Sequence, residues 1–266
     1  MATRFAVIGD PIDHSLSPFI HQCFASQTHV SLTYEKIKGE SVGFEMQVAD
    51  FFKLQGSGLN ITLPFKQRAF AMARQATDRC KQAKAGNTLW LQTEGLWVDN
   101  TDGVGLIRDL LKLMTLKDKR ILIVGAGGAA RGIISPLLEE QPASLVLANR
   151  TGDKLVSLSQ DFPMLVCTLL SQLSGTFDLV INATSASLQG ESIQLPAQCL
   201  KNKPLCYDLS YKLSVPTPFV MYAKSQGCPA QDGLGMLVEQ AAEAFFIWNK
   251  VMPDTEEVLI KLRKIG

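Results

Sequence analysis

The sequence predicts an α/β protein, because strand-like and helix-like patterns alternate along the chain and the later strands are short, almost wholly apolar runs. Ile121 to Val124, Leu145 to Ala148, Met164 to Cys167, Leu179 to Asn182 and Leu205 to Leu209 have this form. Such runs belong to strands buried on both faces, as in a parallel sheet covered by helices. A third observation is a glycine-rich turn placed between the first of these runs and a helical pattern. That order is the βαβ grammar of doubly wound sheets.

The first half of the chain follows the same rhythm. Phe5 to Ile8 reads as a strand, and Ser17-Pro18 opens a helix with a serine cap and a proline at the first helical position. Leu32 to Ile37 is rich enough in β-branched and aromatic residues for a strand. Val42, Met46, Ala49 and Phe52 have helical spacing, which predicts a helix over 42–54 with those residues on its apolar face. Gly58 to Thr62 is a strand and Phe65 to Ala73 a helix, with Lys66 one turn inside it. Thr88 to Gln92 and Leu96 to Asn100 bracket Thr93-Glu94-Gly95 as a hairpin. Leu234 to Val251 is a long helix, and Asp254 or Thr255 caps a last one ending near Lys264.

Composition narrows the function classes. The 266 residues are 46% hydrophobic and 19% charged, with a formal net charge of +1. Length favours two small domains, and the balanced charge offers no attraction to nucleic acid or to a membrane surface. No apolar leader core precedes the first strand, and the six cysteines show no CxxC pairing, so a cytoplasmic protein without a metal site is expected. A monomer or homodimer is expected.

The glycine turn carries the first chemistry. Gly125 permits a tight turn, Gly127 lets backbone approach a pyrophosphate, and Ala130 stands where a small residue packs helix on strand. The helix start then offers free N–H groups to phosphates. About 20 residues beyond such a turn, an NAD enzyme carries an acid for the ribose hydroxyls. Here Asn149-Arg150-Thr151 stands instead, and an arginine with two small polar side chains suits a 2′-phosphate. NADP is the cofactor expected.

Short polar clusters fill the remaining half. His14-Ser15-Leu16-Ser17-Pro18 sets two hydroxyls at a strand–helix junction, suited to a carboxylate, although Ser17 could serve only as a helix cap. Asn60 and Thr62 lie two residues apart at a strand end, followed by Lys66. Asn87, Thr88 and Asp99-Asn100-Thr101-Asp102-Gly103 supply amides and carboxylates at the ends of the hairpin. Together these groups suit a polyhydroxylated carboxylic acid. With no metal-ligand spacing and no GxSxG elbow, a proton must come from a side chain, and Lys66 beside Asp102 is the candidate.

Taken in order, HSLSP (14–18), NITLPFK (60–66), AGNTL (85–89), DNTDG (99–103), GAGGAAR (125–131), NRT (149–151), NATS (182–185) and DGLGMLVEQA (232–241) resemble the shikimate dehydrogenases along essentially the full chain. The resemblance implies NADPH-dependent reduction of 3-dehydroshikimate to shikimate, a step of aromatic amino-acid biosynthesis. It implies that Ser15 and Ser17 hold the substrate carboxylate with Tyr211, and that Asn60, Thr62, Asn87 and Gln240 orient ring hydroxyls. Lys66 and Asp102 would also touch substrate as the catalytic pair. Gly125, Gly127, Gly128, Ala129, Asn149, Arg150, Thr151, Thr184, Leu209, Gly233 and Met236 would line the NADP site.

An α/β substrate domain of residues 1–101 and 236–266 and a Rossmann-like NADP-binding domain of residues 102–235 are implied, the two ligands meeting in a cleft between them. This chain departs from the family pattern after NATS, where Ala186-Ser187-Leu188 replaces a residue, glycine and methionine, so that loop is expected to be shaped differently. The segment after Tyr211 is also about one residue longer. Three rival readings are a broader quinate/shikimate dehydrogenase, a reductase of the glutamyl-tRNA reductase kind, and a non-catalytic binding module. The first would carry an acid near position 149, the second a cysteine in a polar cluster, and the third would lack Lys66 or Asp102.

Overall fold

A computed structural model describes residues 2–265, which divide into two compact units. One comprises the chain up to Gly105 with Val238–Lys261, the other Leu106–Leu237 with the residues from Leu262 onward.

In the first unit β1 (Thr3–Gly9), β2 (Leu32–Lys38), β3 (Gly56–Ile61), β4 (Gln75–Ala76), β5 (Thr88–Gln92) and β6 (Gly95–Asp99) form one sheet. Their order is β2-β1-β3-β5-β6-β4. β1 lies parallel to β2 and β3, while β5 runs antiparallel to β3 and β6. The β5–β6 hairpin pairs Gln92 with Gly95, whose φ of +116° is a conformation that side chains disfavour.

The helices of this unit are α1 (Ser17–Thr28), α2 (Phe44–Lys53), α3 (Lys66–Met72) and α4 (Asp78–Ala83). β1 is buried on both faces. Ala6 and Ile8 join the core that also holds Phe44, Val48, Leu59, Ile61 and Phe65, whereas Phe5 stacks on Trp248 with ring centroids 4.8 Å apart.

Three sequence expectations are corrected here. α2 buries Phe44, Val48, Phe51 and Phe52, and leaves Val42, Met46 and Ala49 exposed. The aromatic stripe outweighs the aliphatic one because each ring buries more apolar area, and Phe44 stacks on Phe65 at 4.6 Å. Ser17 does not cap α1. It is the first helical residue after Leu16, and its N–H donates to Ser15 Oγ at 3.3 Å. Lys66 is likewise the first residue of α3, not one turn inside it.

In the second unit β7 (Arg120–Val124), β8 (Ser144–Asn149), β9 (Leu165–Leu169), β10 (Leu179–Asn182), β11 (Leu205–Asp208) and β12 (Ala230–Asp232) form a wholly parallel sheet ordered β12-β11-β10-β7-β8-β9. Chain order reverses at β7, flanked by β8 and β10, which makes its carboxyl end the switch point where such sheets bind ligands. α5 (Asp102–Leu111), α6 (Gly128–Glu139), α7 (Asp153–Asp161), α8 (Pro218–Ser225), α9 (Leu234–Asn249) and α10 (Thr255–Ile265) complete the elements.

Ile121, Leu122 and Ile123 are fully buried, as a central parallel strand requires. The run at Met164–Cys167 departs from expectation. β9 is an edge strand, with Met164 77% and Val166 56% exposed, because nothing in the sheet lies beyond it. Among the described residues no helix is long and apolar enough to cross a membrane, and no cluster of three or more His, Cys, Asp or Glu could hold a metal.

Candidate active site

Phe65 anchors the first polar group. Its ring is buried against Phe44 and fills the space over Gly39, and Gly86 N–H donates to the Lys66 carbonyl at 2.8 Å. Lys66 thus stands at the start of α3, the end of a helix dipole that repels cations. A carboxylate compensates, since Lys66 Nζ lies 2.6 Å from Asp102 Oδ2. The Asp102 side chain is 8% exposed and that of Lys66 26%, so the carboxylate is the buried partner and the ammonium reaches outward.

Asp102 is held from its other side. Asn87 Nδ2 donates to Asp102 Oδ1 at 2.9 Å and to Gln240 Oε1 at 2.9 Å, while Thr101 N–H donates to Asn87 Oδ1 at 2.9 Å. The backbone of Asp102 is set by Asn100, whose Oδ1 accepts its N–H at 3.0 Å. Asp99 accepts from Arg79 Nε at 2.8 Å, from Asn100 N–H at 2.7 Å and from the Thr77 hydroxyl. Arg79 also reaches Glu243 at 2.9 Å. An ion-paired cluster therefore braces the turn that carries Asp102.

A second branch begins at Asn60. Its Nδ2 donates to Asn87 O at 3.0 Å and to Thr88 Oγ1 at 3.2 Å, and its Oδ1 accepts from the Tyr34 hydroxyl at 2.7 Å. Burial pushes the Tyr34 phenol well above its ordinary range, with a hydrogen bond to Ser17 opposing. Ser15 Oγ lies 3.3 Å from Ser17 Oγ. The structure therefore brings Ser15, Ser17, Asn60, Asn87, Lys66, Asp102 and Gln240 into one connected polar surface within the first unit. It does not draw Thr62 into these bonds; that residue follows the end of β3 with its methyl packed over Gly9. Tyr34, the link from Ser17 to Asn60, went unread in the sequence. Its only signal was its place in the alternation of β2.

Beneath Tyr34 lies His21, stacked at 4.3 Å and fully buried. Burial lowers its imidazole from 6.5 to about 3. The unfolded chain takes up that proton near pH 6.5 and the folded chain does not, so folding stability falls as pH drops below 6.5 and continues to fall down to about 3. By pH 5 the loss should reach roughly 2 kcal/mol. In His21→Phe, urea midpoints at pH 5 and pH 7.5 should lie closer together than in the wild type. An unchanged difference would locate the pH sensitivity elsewhere.

The second unit presents a different surface at the carboxyl ends of its strands. Gly125 follows β7 with φ of +109°, and a Cβ there would lie 2.8 Å from the Thr184 methyl. At Gly127 and Gly128 an added Cβ would meet nothing within 4 Å, so the backbone of this turn is open to a ligand. α6 begins at Gly128 without a side-chain cap, leaving first-turn N–H groups, including that of exposed Ala129, available to phosphates. Ala130 is fully buried and seats the helix on the sheet. A pyrophosphate fits this cradle.

Beside it, at the end of β8, Asn149 Nδ2 donates to Thr151 O at 2.9 Å and leaves Arg150 and Thr151 exposed. On the other side of β7, Thr184 donates to Asn182 Oδ1 at 2.8 Å and Leu209 N–H donates to Asn182 O at 3.0 Å. Gly233 sits so close that a Cβ would be 2.4 Å from Leu209 O, and Met236 is buried in the first turn of α9. Tyr211 follows β11 in this unit, and burial raises its phenol. The topology groups these predicted cofactor residues at or just beyond the ends of five neighbouring strands, β12-β11-β10-β7-β8.

Comparison with known proteins agrees with both halves. Residues 7–89 match the shikimate dehydrogenase substrate-binding domain, 108–213 match shikimate/quinate 5-dehydrogenase, and 233–259 match the shikimate 5′-dehydrogenase C-terminal domain. The chain is 59% identical over 263 residues to shikimate dehydrogenase (NADP(+)) of Legionella pneumophila strain Lens, covering 99% of both. Among solved structures it is similar to an Ael1 enzyme from Pseudomonas putida, with 43% identity, a TM-score of 0.93 and 98% of each chain covered. It is also similar to the Thermus thermophilus shikimate 5-dehydrogenase solved with NADP(H) and shikimate, at 29% identity and a TM-score of 0.89, covering 99% of this chain and 100% of that one. From its first strand to its last helices, the chain belongs to the shikimate dehydrogenase family.

Proposed function

We propose that this protein catalyses the NADP-dependent interconversion of 3-dehydroshikimate and shikimate, with Lys66 and Asp102 as its proton-handling pair. The observation that carries this reading is the 2.6 Å contact between Lys66 Nζ and Asp102 Oδ2, set among amides and hydroxyls suited to a polyhydroxylated ring. Bound NADPH supplies the hydride.

The chain's own residues bind, orient and protonate. Lys66 donates to the ketone oxygen as negative charge grows there, either passing a proton or holding the charge, while Asp102 keeps the ammonium in place. Asn87 fixes Asp102 and shares Gln240, so these side chains present donors and acceptors to the neighbouring ring hydroxyls. Ser15 and Ser17 offer hydroxyls to the substrate carboxylate, with Tyr211 assigned the same ligand by family pattern. We assign substrate to the unit containing the first sheet and NADP to the wholly parallel sheet. Six free cysteines fit a reducing cytoplasm, where we place the enzyme.

The experiment is absorbance at the reduced nicotinamide band with shikimate or quinate and with NADP or NAD. Turnover should be greatest with shikimate and NADP, and quinate turnover rivalling it would favour the broader enzyme. Arg150→Ala should raise the KM for NADP roughly tenfold or more, the loss expected for charge-assisted bonds to a phosphate, and leave the KM for NAD nearly unchanged. Equal losses for both cofactors would place Arg150 at the pyrophosphate or in the fold.

A further inference from the structure

We propose that Asp208, buried at the end of β11, is a positioning residue that sets the rim of the nicotinamide side of the cofactor site by fixing Asn182 and, through it, Thr184. The inference rests on the NADP reading above and adds to it a residue that the cofactor need not touch.

The position follows from sheet order. The glycine turn after β7 takes the pyrophosphate and the end of β8 takes the adenosine 2′-phosphate. The remaining half of a dinucleotide then extends the other way, over β10 and β11. Asp208 closes β11 there and is fully buried.

Four donors converge on its carboxylate. Ser187 Oγ and Thr217 Oγ1 donate to Oδ2, each at 2.6 Å, while Asn182 Nδ2 at 3.0 Å and Ser210 N–H at 3.1 Å donate to Oδ1. Ser187, Thr217 and Asn182 are themselves buried. Thr217 also caps α8 through Val220 N–H, so one carboxylate ties together the ends of β10 and β11 and the start of α8.

The consequence for Thr184 is directional. A carboxylate accepts only, so it compels Asn182 to turn its NH2 inward, where the same nitrogen also lies 3.4 Å from Ser187 Oγ. Asn182 Oδ1 then faces the next loop and accepts from Thr184 N–H at 3.2 Å and from Thr184 Oγ1 at 2.8 Å. The Thr184 methyl is thereby pressed toward Gly125, where an added Cβ would meet it. With the opposite amide orientation, NH2 would face the Thr184 N–H, an obligatory donor, and the loop would lose that bond.

Burial raises the Asp208 carboxyl above its usual range, while the hydroxyl, backbone and amide donors oppose this. Keeping a charge so deep costs stability that an apolar side chain would not. A directional task accounts for retaining it. Ser187 strengthens the device, since its hydroxyl donates to the same carboxylate from the turn that follows Thr184.

Calorimetric titration with NADP+ and with adenosine 2′,5′-bisphosphate separates the two halves of the cofactor. Asp208→Ala should weaken NADP+ on the order of tenfold or more while changing the bisphosphate less than about twofold. Asp208→Asn should stay within roughly threefold of wild type for both. Its carbonyl can accept from Asn182 and Ser210, and its NH2 can donate to the rotatable hydroxyls.

Equal losses of both ligands in Asp208→Ala would overturn the proposal and make Asp208 a general support of the fold. Unchanged NADP+ binding would overturn it as well. If Asp208→Ala does not fold, Asn182→Ala, which cuts the relay one residue further on, must show the same split between ligands. A wild type binding neither ligand overturns the NADP reading and this inference together. A wild type binding both, with no split in the variants, overturns this inference alone.

Discussion

Lys66→Ala should lower kcat for shikimate oxidation roughly 10²-fold or more, the range expected on removing a positioned proton donor. The fold should survive. The Lys66 side chain is 26% exposed and begins a helix where its charge opposes the dipole, so its loss removes little packing. KM for shikimate should move far less than kcat, because the interaction strengthens as charge develops on the oxygen.

Asp102→Asn should also depress kcat. The double variant should be little worse than the worse single one, because groups 2.6 Å apart act as a unit. Steady-state turnover of wild type, both single variants and the double decides the matter. A Lys66→Ala enzyme with near-wild-type kcat would show that the proton travels by water or another side chain.

A second large effect should appear in stability. Asp99 is 2% exposed and Arg79 holds both of its oxygens, so Arg79→Leu would strand a buried carboxylate. The cost should be about 3 kcal/mol, at the lower end for breaking a buried pair because Thr77 and Asn100 N–H still donate to Asp99. The urea midpoint should fall accordingly. Because Asp99 also orders the turn leading to Asp102, kcat should fall in the folded variant with Lys66 intact. An unchanged midpoint would mean that water replaces the guanidinium and that the cluster is not a brace.

Much of this protein was legible in its sequence because much of it is written locally. Apolar runs such as Ile121 to Val124 are what a strand covered on both faces requires, and the glycines from Gly125 to Gly128 are what a tight, open turn requires. Neither demand depends on a distant partner, so the strand–turn–helix unit and the α/β class followed from residue type and spacing alone. Local pattern failed where two faces competed. The aliphatic spacing of Val42, Met46 and Ala49 had the right period, but Phe44, Val48 and Phe51 had the same period and more surface to bury, and only the ring of Phe65 decides between them.

What the tertiary structure alone decided is which polar groups meet. Lys66 and Asp102 are 36 residues apart, Asn87 and Gln240 153 apart, and the Tyr34 link to Asn60 spans 26. No periodicity encodes such pairings. Hydrogen bonds require donor and acceptor within about 3 Å, and only packing of the apolar faces brings distant chain segments that close. The same holds for Asp208, which in the sequence is simply the acid that ends an apolar run. Its four donors come from the ends of two strands, the turn that follows β10 and the start of a helix. It becomes a hub because parallel strands place their carboxyl ends side by side.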